Sequence, residues 1–309
     1  MKKKKITYKV QNWSTYNQSL INRGNITLWF DDNALKNWFA NSTGKRGRPC
    51  FYSDQCIELA WIISSLYRLP LRATQGFLEG LLLLLNIDLP VPHYSQICRR
   101  AKKLKINYKV FKQKGKLDIV VDSTGLKIYG EGEWKMRIHG KDKRRTWRKL
   151  HLAVNPDNFQ IEAMELTKSN KTDGKVFPQL ISPFLALGKI YADAAYMYQE
   201  CFDAIAKKEG QAIIDLRSGT SLAKNPTEGL KQRNKIVEKI WAYGGKKRWK
   251  EKSGYHRRSL AETQMYRFKQ ILGGKLSSRS FDNQVAESNI KALILNKMTM
   301  LGMPQTIAV

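Results

Sequence analysis

The sequence is poor in acidic side chains. Its 309 residues include 26 Asp and Glu against 55 Lys and Arg, which gives a formal net charge of +29. Such an excess of positive charge attracts polyanions, among which nucleic acid is the first candidate and an anionic membrane surface the second. Hydrophobic residues make up 42% of the chain. That fraction is enough for a folded core and excludes a disordered basic protein.

Long apolar runs are also absent. The most apolar run, "GLLLLLNI", is far too short to span a bilayer, and Glu58 and Arg68 interrupt "IELAWIISSLYRLPL". The N-terminal "MKKKKI" is not followed by the apolar segment of a secretory signal. We therefore expect no membrane partner, and nucleic acid remains as the polyanion that the charge indicates.

Cysteine and histidine are scarce. The four cysteines form no CxxC pair, and Cys50 and Cys56 lack a second ligand pair at zinc-finger spacing. This cysteine pattern favours a reduced cytoplasmic compartment. None of the four histidines begins an HxxR sequence, which disfavours a tyrosine recombinase.

The first third of the chain predicts three helices. Ser53 can cap a helix over "DQCIELAWIISSLYR" that ends at Pro70, followed by helical stretches in "LRATQGFLEGLLLLLN" and "HYSQICRRAKKLK". Three short helices with a basic last one are typical of a helix-turn-helix unit, and a plain helical bundle with a solvated last face is the alternative. The last helix and the residues after it carry four basic candidates for DNA contact: Arg99, Arg100, Lys102 and Lys103.

A composition change separates this part from the rest. Residues 99–116 contain nine Lys and Arg and no acid, which indicates a linker or a phosphate-tracking surface. We place the domain boundary near Lys114, which gives a helical domain of residues 1–114 and a second domain of residues 115–309. The second domain begins with the β-rich "KLDIVVDSTGLKIYG" and predicts three strands, then helix, strand, helix, strand and helix. This order favours an α/β fold with one mixed central sheet.

Three acids stand out in the second domain. Asp122 in "VVDST" and Asp193 in "IYADAAY" are placed at the ends of predicted strands, and Glu262 on a late helix. Converging carboxylates repel one another unless a cation joins them. Mg²⁺ prefers oxygen ligands, and a pair of ions about 3.5–4 Å apart can clamp the oxygens of a phosphodiester displacement. Each acid taken alone is more often a turn, cap or solvated residue, and Asp118, Asp173 and Asp215 are rival acids.

The late helix carries a polar stripe. If Tyr255–Lys269 is one helix, then Tyr255, Arg258, Glu262 and Lys269 fall at about 0°, −60°, −20° and −40°. This stripe is polar and aromatic, so it faces either solvent or a partner that suits a carboxylate flanked by cations.

Together these residues resemble the DDE transposases of bacterial insertion sequences, whose catalytic core is RNase H-like. The sharpest element is Tyr-x2-Arg-x3-Glu-x6-Lys, filled by Tyr255, Arg258, Glu262 and Lys269, beside "VVDSTGLKIYG" and "IYADAAYM". The residue after the second Asp is Ala194, where relatives often have Gly. Only 68 residues separate the second and third acids, so we expect no inserted β-domain there.

The resemblance implies a function and a site. Asp122, Asp193 and Glu262 would be the catalytic triad, holding two Mg²⁺ ions for which Mn²⁺ can substitute. Arg258 and Lys269 would contact phosphate at the transposon end, and Tyr255 would help to place the DNA. The chain would bind double-stranded DNA at terminal inverted repeats, cut it, and join the 3′-hydroxyl ends to target DNA.

Further expectations follow from the same resemblance. The protein would act as a homo-oligomer when two ends are synapsed, in association with the bacterial nucleoid. A basic run at residues 135–151 is interpreted as a loop along the DNA, with Arg144, Arg145 and Arg148 as candidate contacts. The alternative is a DNA-binding protein without catalysis, either a regulator or an inactive copy of the element.

Overall fold

The structure is a computed structural model that describes residues 8–30, 32–41, 49–108, 115–128 and 147–308. The chain divides into two compact units, one of residues 1–107 together with 290–309 and one of residues 108–289. Lys114, where we predict the domain boundary, lies outside the described residues, and the two-domain assignment stays a prediction.

The first unit is mainly helical. Its helices are α1 (Trp13–Arg23), α2 (Asp32–Lys36), α3 (Asp54–Leu66), α4 (Leu71–Leu84) and α5 (Tyr94–Ala101). Two short strands, β1 (Tyr8–Val10) and β8 (Thr306–Ala308), pair in antiparallel fashion. The cap predicted for α3 is present, because the Ser53 side chain accepts a hydrogen bond from the Cys56 N–H at 3.0 Å. Helices α3, α4 and α5 contact one another through apolar side chains such as Ile57, Leu78 and Ile97, all fully buried.

The second unit alternates strands and helices. Its strands are β2 (Leu117–Ile128), β3 (Trp147–Val154), β4 (Ile161–Lys168), β5 (Leu187–Ala192), β6 (Gln211–Ile214) and β7 (Lys275–Leu276). Its helices are α6 (Asp173–Leu180), α7 (Gln199–Lys207), α8 (Glu228–Ala242), α9 (Lys246–Ser253) and α10 (Ser259–Leu272). Helix α11 (Phe281–Leu301) begins in this unit and ends in the first.

One mixed sheet organises the second unit. Its strand order is β4-β3-β2-β5-β6, with β7 paired to β2 beside this path. Strand β3 is antiparallel to β2 and β4, whereas β5 and β6 run parallel to β2. Ile119, Val120 and Val121 are all fully buried, as expected for a central strand covered on both faces. The predicted fold class, an α/β RNase H-like core after a helical N-terminal region, is confirmed.

Two local expectations about acids and helices were wrong. Asp122 does not end its strand, because β2 continues to Ile128 through antiparallel pairing with β3. The stretch from Tyr255 to Lys269 is not one helix either. A 3₁₀ turn over Tyr255–Arg258 precedes α10, so the calculated stripe holds only within α10.

Glu209 supplies the left-handed residue after α7, with φ 54°. Gly210 follows it and packs closely against the sheet, since a Cβ on this glycine would lie 2.4 Å from Cδ1 of Ile190.

Candidate active site

The first two acids lie side by side where a parallel strand pair separates. Val120 on β2 is opposite Tyr191 on β5, so Asp122 within β2 and Asp193 just after β5 each follow two residues later. β5 ends at Ala192, and Asp193 caps a 3₁₀ turn by accepting a hydrogen bond from the Ala195 N–H at 2.9 Å. The end of β5 thus opens a rim at the carboxyl end of the parallel strands, where sites of open α/β sheets are commonly built.

Arg258 links the first acid to the third. Its Nη1 donates to Oδ2 of Asp122 at 3.1 Å, and its Nη2 donates to Oε1 of Glu262. Glu262 lies in the first turn of α10, where the helix dipole favours a negative charge. The N–H of Ser123 donates to the other oxygen of Asp122 at 2.7 Å. One guanidinium therefore joins two carboxylates that are distant in sequence.

The electrostatics of Asp122 depend on both of the other acids. Burial raises the pKa of Asp122 above its ordinary value, and the charges of Asp193 and Glu262 raise it further. The Ser123 N–H and Arg258 oppose that rise without cancelling it. The structure thus brings together the three acids selected from sequence. Their catalytic role stays a prediction.

The donor set suits a hard divalent cation. Mg²⁺ takes oxygen ligands and is usually held by one or two carboxylates together with substrate phosphate. Asp122 and Asp193 could supply the two carboxylates. Within the described part of the chain, no group of three or more His, Cys, Asp or Glu residues is arranged as a metal cluster. The guanidinium of Arg258 contacts two of the three acids directly.

The other two signature residues pack inward. Tyr255 is only 7% exposed, and its ring lies 5.8 Å from the ring of Trp249 and 4.8 Å from Nζ of Lys250. Nζ of Lys269 donates to Oγ1 of Thr124 on β2 at 2.6 Å, and burial lowers the pKa of this lysine. Tyr255 thus supports the turn that presents Arg258, and its predicted role in placing DNA remains untested.

The basic candidates of the first unit differ in their surroundings. Arg99 on α5 and Lys102 and Lys103 after it are exposed. Arg100 instead donates to the carbonyl of Tyr52 and forms an ion pair with Asp54. Arg99, Lys102 and Lys103 are therefore available to a partner, whereas Arg100 fastens α5 to the start of α3.

Of the three basic candidates in the second unit, Arg144 and Arg145 lie outside the described residues. Arg148 on β3 donates through Nε to Oε1 of Gln284 at 2.8 Å, and its guanidinium lies 5.4 Å from the ring centre of Phe281. The guanidinium of Arg148 therefore has an intramolecular partner along its edge, Gln284, and another at its face, Phe281.

Sequence reasoning missed a group of polar residues beside Asp122. Asp173, considered only as a rival acid, lies 2.7 Å from Nζ of Lys149 and 3.2 Å from Nδ1 of His151. Although burial raises its pKa, the neighbouring His151, Lys149 and Ser123 side chains bring the pKa of Asp173 well below its ordinary value. A signal was present in "KLHLAV", where two polar residues alternate with buried apolar ones on one strand.

Comparison with known protein families gives two matches along the chain. Two family models, both described as a transposase DDE domain, match it, one over residues 21–131 and the other over residues 113–297. The second covers more than half of the chain and includes all three converging acids. Among the described helices, none is both long and apolar enough to cross a membrane.

Proposed function

Because the chain belongs to the family of transposase DDE domains, we propose that it is the transposase of an insertion sequence. In this proposal it binds the terminal inverted repeats, hydrolyses phosphodiester bonds at the element's ends and joins the freed 3′-hydroxyls to target DNA. The observation that carries the proposal is that Asp122 and Asp193 each follow paired residues of β2 and β5, while Arg258 pairs with both Asp122 and Glu262. Three acids held together in a chain of net charge +29 suit a site that binds polyanions and metal ions.

The acids would hold the catalytic ions. Asp122 and Asp193, with Glu262, would bind Mg²⁺, or Mn²⁺ in its place, as a pair of ions. When bound, such ions activate water and stabilise the attacking and leaving oxygens of an in-line displacement. The protein keeps the Asp122 carboxylate oriented through the Ser123 N–H and fixes Asp193 through the N–H of Ala195. Preset orientation of this kind lowers the cost of reaching the reactive geometry.

Arg258 would have different partners in the metal-free site and in the metal-bound site. In the free protein its guanidinium balances the charges of Asp122 and Glu262. Once cations take over that balance, Arg258 is free to make charge-assisted hydrogen bonds to a phosphate of the transposon end. Lys269, which donates to Thr124 on the neighbouring β2, would add a second phosphate contact.

DNA recognition would involve the first unit. The exposed Arg99, Lys102 and Lys103 form one basic surface at the end of α5, suited to reading or tracking the terminal repeats. Since two ends must meet during transposition, we expect a homo-oligomer on DNA, acting at the nucleoid of a bacterial cell.

The deciding experiment is end cleavage with matched variants. A supercoiled plasmid carrying candidate element ends is incubated with wild type, Glu262→Gln or Glu228→Gln, in Mg²⁺ or in EDTA. Glu228 is a matched control, since it also lies in the first turn of a helix and pairs with a nearby cation, Lys231. We expect Mg²⁺-dependent nicking at the ends by wild type and Glu228→Gln, and a loss of at least about a hundredfold for Glu262→Gln.

Two results would count against the proposal. A Glu262→Gln protein that cuts at the wild-type rate removes the acid from the chemistry. Tight end binding by wild type without cutting in Mg²⁺ or Mn²⁺ favours the DNA-binding protein without catalysis.

Recognition by the first unit is better tested by substitution than by deletion. Residues 290–309 belong to this unit, so removing residues 1–110 would also leave the end of α11 and β8 without the rest of their unit. The substitutions Arg99→Ala, Lys102→Ala and Lys103→Ala together should weaken end binding. If they leave end-specific binding intact, α5 does not read the repeats.

A further inference from the structure

A polar network lies inside the second unit next to Asp122. Strand β3 runs antiparallel to β2, with His151 opposite Ser123 and Lys149 opposite Gly125. Since Lys149 and His151 are two residues apart, their side chains lie on the same face of the sheet. His151 is 1% exposed, which is unusual for an ionisable side chain.

Asp173 joins these residues from the start of α6. Its Oδ2 accepts a hydrogen bond from Nζ of Lys149 at 2.7 Å, and the Ser123 side chain helps to lower its pKa. Nδ1 of His151 lies 3.2 Å from Oδ1 of Asp173, a contact whose alignment is poor for a hydrogen bond. Nε2 of His151 lies 3.0 Å from Oγ1 of Thr167 on β4. One carboxylate therefore connects α6 with β2 and β3.

This network reaches Asp122 through Ser123. Ser123 lies opposite His151 in the strand pair, its side chain helps to lower the pKa of Asp173, and its N–H donates to Oδ1 of Asp122 at 2.7 Å. Any shift of Asp173 that moves Ser123 thus changes the direction of a hydrogen bond to the first acid of the triad.

A buried hydroxyl gives a second connection. Tyr196 is 1% exposed, and its hydroxyl has no hydrogen-bond partner among the described groups. Burial raises the pKa of Tyr196, and the charges of Asp173, Asp122 and Asp193 raise it further. An unpaired donor therefore lies among the network carboxylate and two of the triad acids.

A contribution to stability is a weak explanation for this buried network of charged and polar side chains. Buried ion pairs are often no more stabilising than apolar side chains of similar volume, because desolvation offsets the attraction. We propose that Asp173, held by Lys149 and His151, is a positioning residue that fixes Ser123 and thereby orients the Asp122 carboxylate for its metal ion. The inference rests on the proposed function, because it assigns the metal to Asp122.

The experiment measures metal binding directly. Mn²⁺ is titrated into wild type, Asp173→Asn and Glu287→Gln, and free Mn²⁺ is followed by its EPR signal. Glu287 is a matched control, being a 3% exposed carboxylate in the same unit that accepts hydrogen bonds from the N–H groups of Ser277 and Ser278. Binding of end DNA in EDTA and plasmid cleavage in Mg²⁺ are measured on the same three proteins.

We expect a loss confined to metal binding and cleavage. Groups that orient metal ligands typically contribute about 10- to 100-fold to metal affinity or activity. Asp173→Asn should therefore weaken Mn²⁺ binding about tenfold or more and slow cleavage at least as much, while end binding in EDTA stays unchanged. Glu287→Gln should bind Mn²⁺ and cut DNA as wild type does.

A second pair of variants covers the case in which Asp173→Asn does not fold. Lys149→Met removes the cation that holds Asp173, whereas Lys149→Arg keeps a cation and a donor at the same position. We expect Lys149→Met to weaken Mn²⁺ binding and Lys149→Arg to restore most of it.

The outcomes separate the two proposals. If wild type binds Mn²⁺ and cuts, and both Asp173→Asn and Lys149→Met do so equally well, the positioning role is overturned while the transposase function stands. If wild type neither binds Mn²⁺ nor cuts in any divalent ion, the proposed function itself fails.

Discussion

At the scale of single residues, Asp122 is the most constrained group of the site. Its pKa is raised because burial and the charges of Asp193 and Glu262 outweigh the help of Ser123 and Arg258. The folded protein therefore disfavours the charged form of a residue that, in the proposed function, must be charged to bind a metal ion. Such a conflict between stability and activity is common at functional sites.

We predict that Asp122→Asn stabilises the metal-free protein at neutral pH. A raised folded pKa means that the unfolded chain loses the Asp122 proton more readily, so wild-type stability falls as pH rises above the unfolded value of about 3.9. The side chain of asparagine does not ionise in this pH range, so its contribution to stability does not change in this way. We expect a gain of about 1 kcal/mol at pH 7, measured by thermal unfolding in EDTA.

The pH dependence supplies the check. The gain should shrink as the pH falls and should vanish below about pH 3.9, because wild-type Asp122 then becomes protonated in the unfolded state as well. Glu228→Gln, at an exposed position, should show no such pattern. A less stable Asp122→Asn protein at pH 7 would mean that the ion pair with Arg258 outweighs the cost of burial.

At the scale of elements, helices α7 and α8 pack at unusually short range. A Cβ on Gly229, in the first turn of α8, would lie 2.4 Å from the backbone N of Asp203 and from the carbonyl carbon of Phe202 on α7. Backbone atoms cannot move aside as a flexible side chain can. Only glycine permits this contact.

We predict that Gly229→Ala and Gly80→Ala change stability in opposite directions. Gly229→Ala must push α8 away from α7, at a cost of about 1–3 kcal/mol. Gly80 lies exposed inside α4, and its added Cβ would meet nothing within 4 Å, so alanine should stabilise by about 0.5–1 kcal/mol. Urea unfolding of both variants tests this, and equal effects would contradict the close contact.

Helix α5 carries two adjacent arginines that differ in their contacts. Arg100 holds Tyr52 and Asp54, whereas Arg99 next to it is exposed. We predict that Arg100→Ala destabilises the protein, by about 1–3 kcal/mol for lost charged hydrogen bonds. Arg99→Ala should leave stability unchanged and weaken end binding, with a salt slope smaller by about one.

Fluorescence anisotropy on labelled ends at several salt concentrations, together with urea unfolding, separates the two effects. If Arg99→Ala binds ends as wild type does at every salt concentration, α5 is not a DNA-contacting helix.

At the scale of the whole molecule, the charge of +29 dominates. Some of the acids pair inside the molecule, as in the pairs of Asp215 with Lys246 and Lys250. Many of the remaining cations are exposed. Such a surface favours any polyanion and makes binding depend steeply on salt.

We predict a steep salt dependence for binding of element ends. Each phosphate contact releases counterions, so a protein with 6–10 contacts loses about 10³- to 10⁵-fold in affinity between 50 and 200 mM salt. Anisotropy titrations over this range should give a straight line of log affinity against log salt. A flat line would show that the positive charge does not engage the DNA backbone.

The sequence by itself determined the class of fold, and it selected three acids whose catalytic role stays a prediction. The IVV run of β2 and the alternating strands and helices predicted the mixed sheet because burial and period are local properties of the chain. Asp122, Asp193 and Glu262 were selected by their strand and helix positions and by resemblance. The cap at Ser53 was also predicted, since its hydrogen bond spans only three residues.

Only the tertiary structure decided how these residues meet. The extension of β2 beyond Asp122 depends on pairing with β3, and the 3₁₀ turn at Tyr255 depends on packing against Trp249. Arg258 contacts Asp122, and Asp173 contacts Lys149, across long separations in sequence. Local pattern carries no information on such contacts, because chain folding alone sets which distant side chains share a low-dielectric pocket.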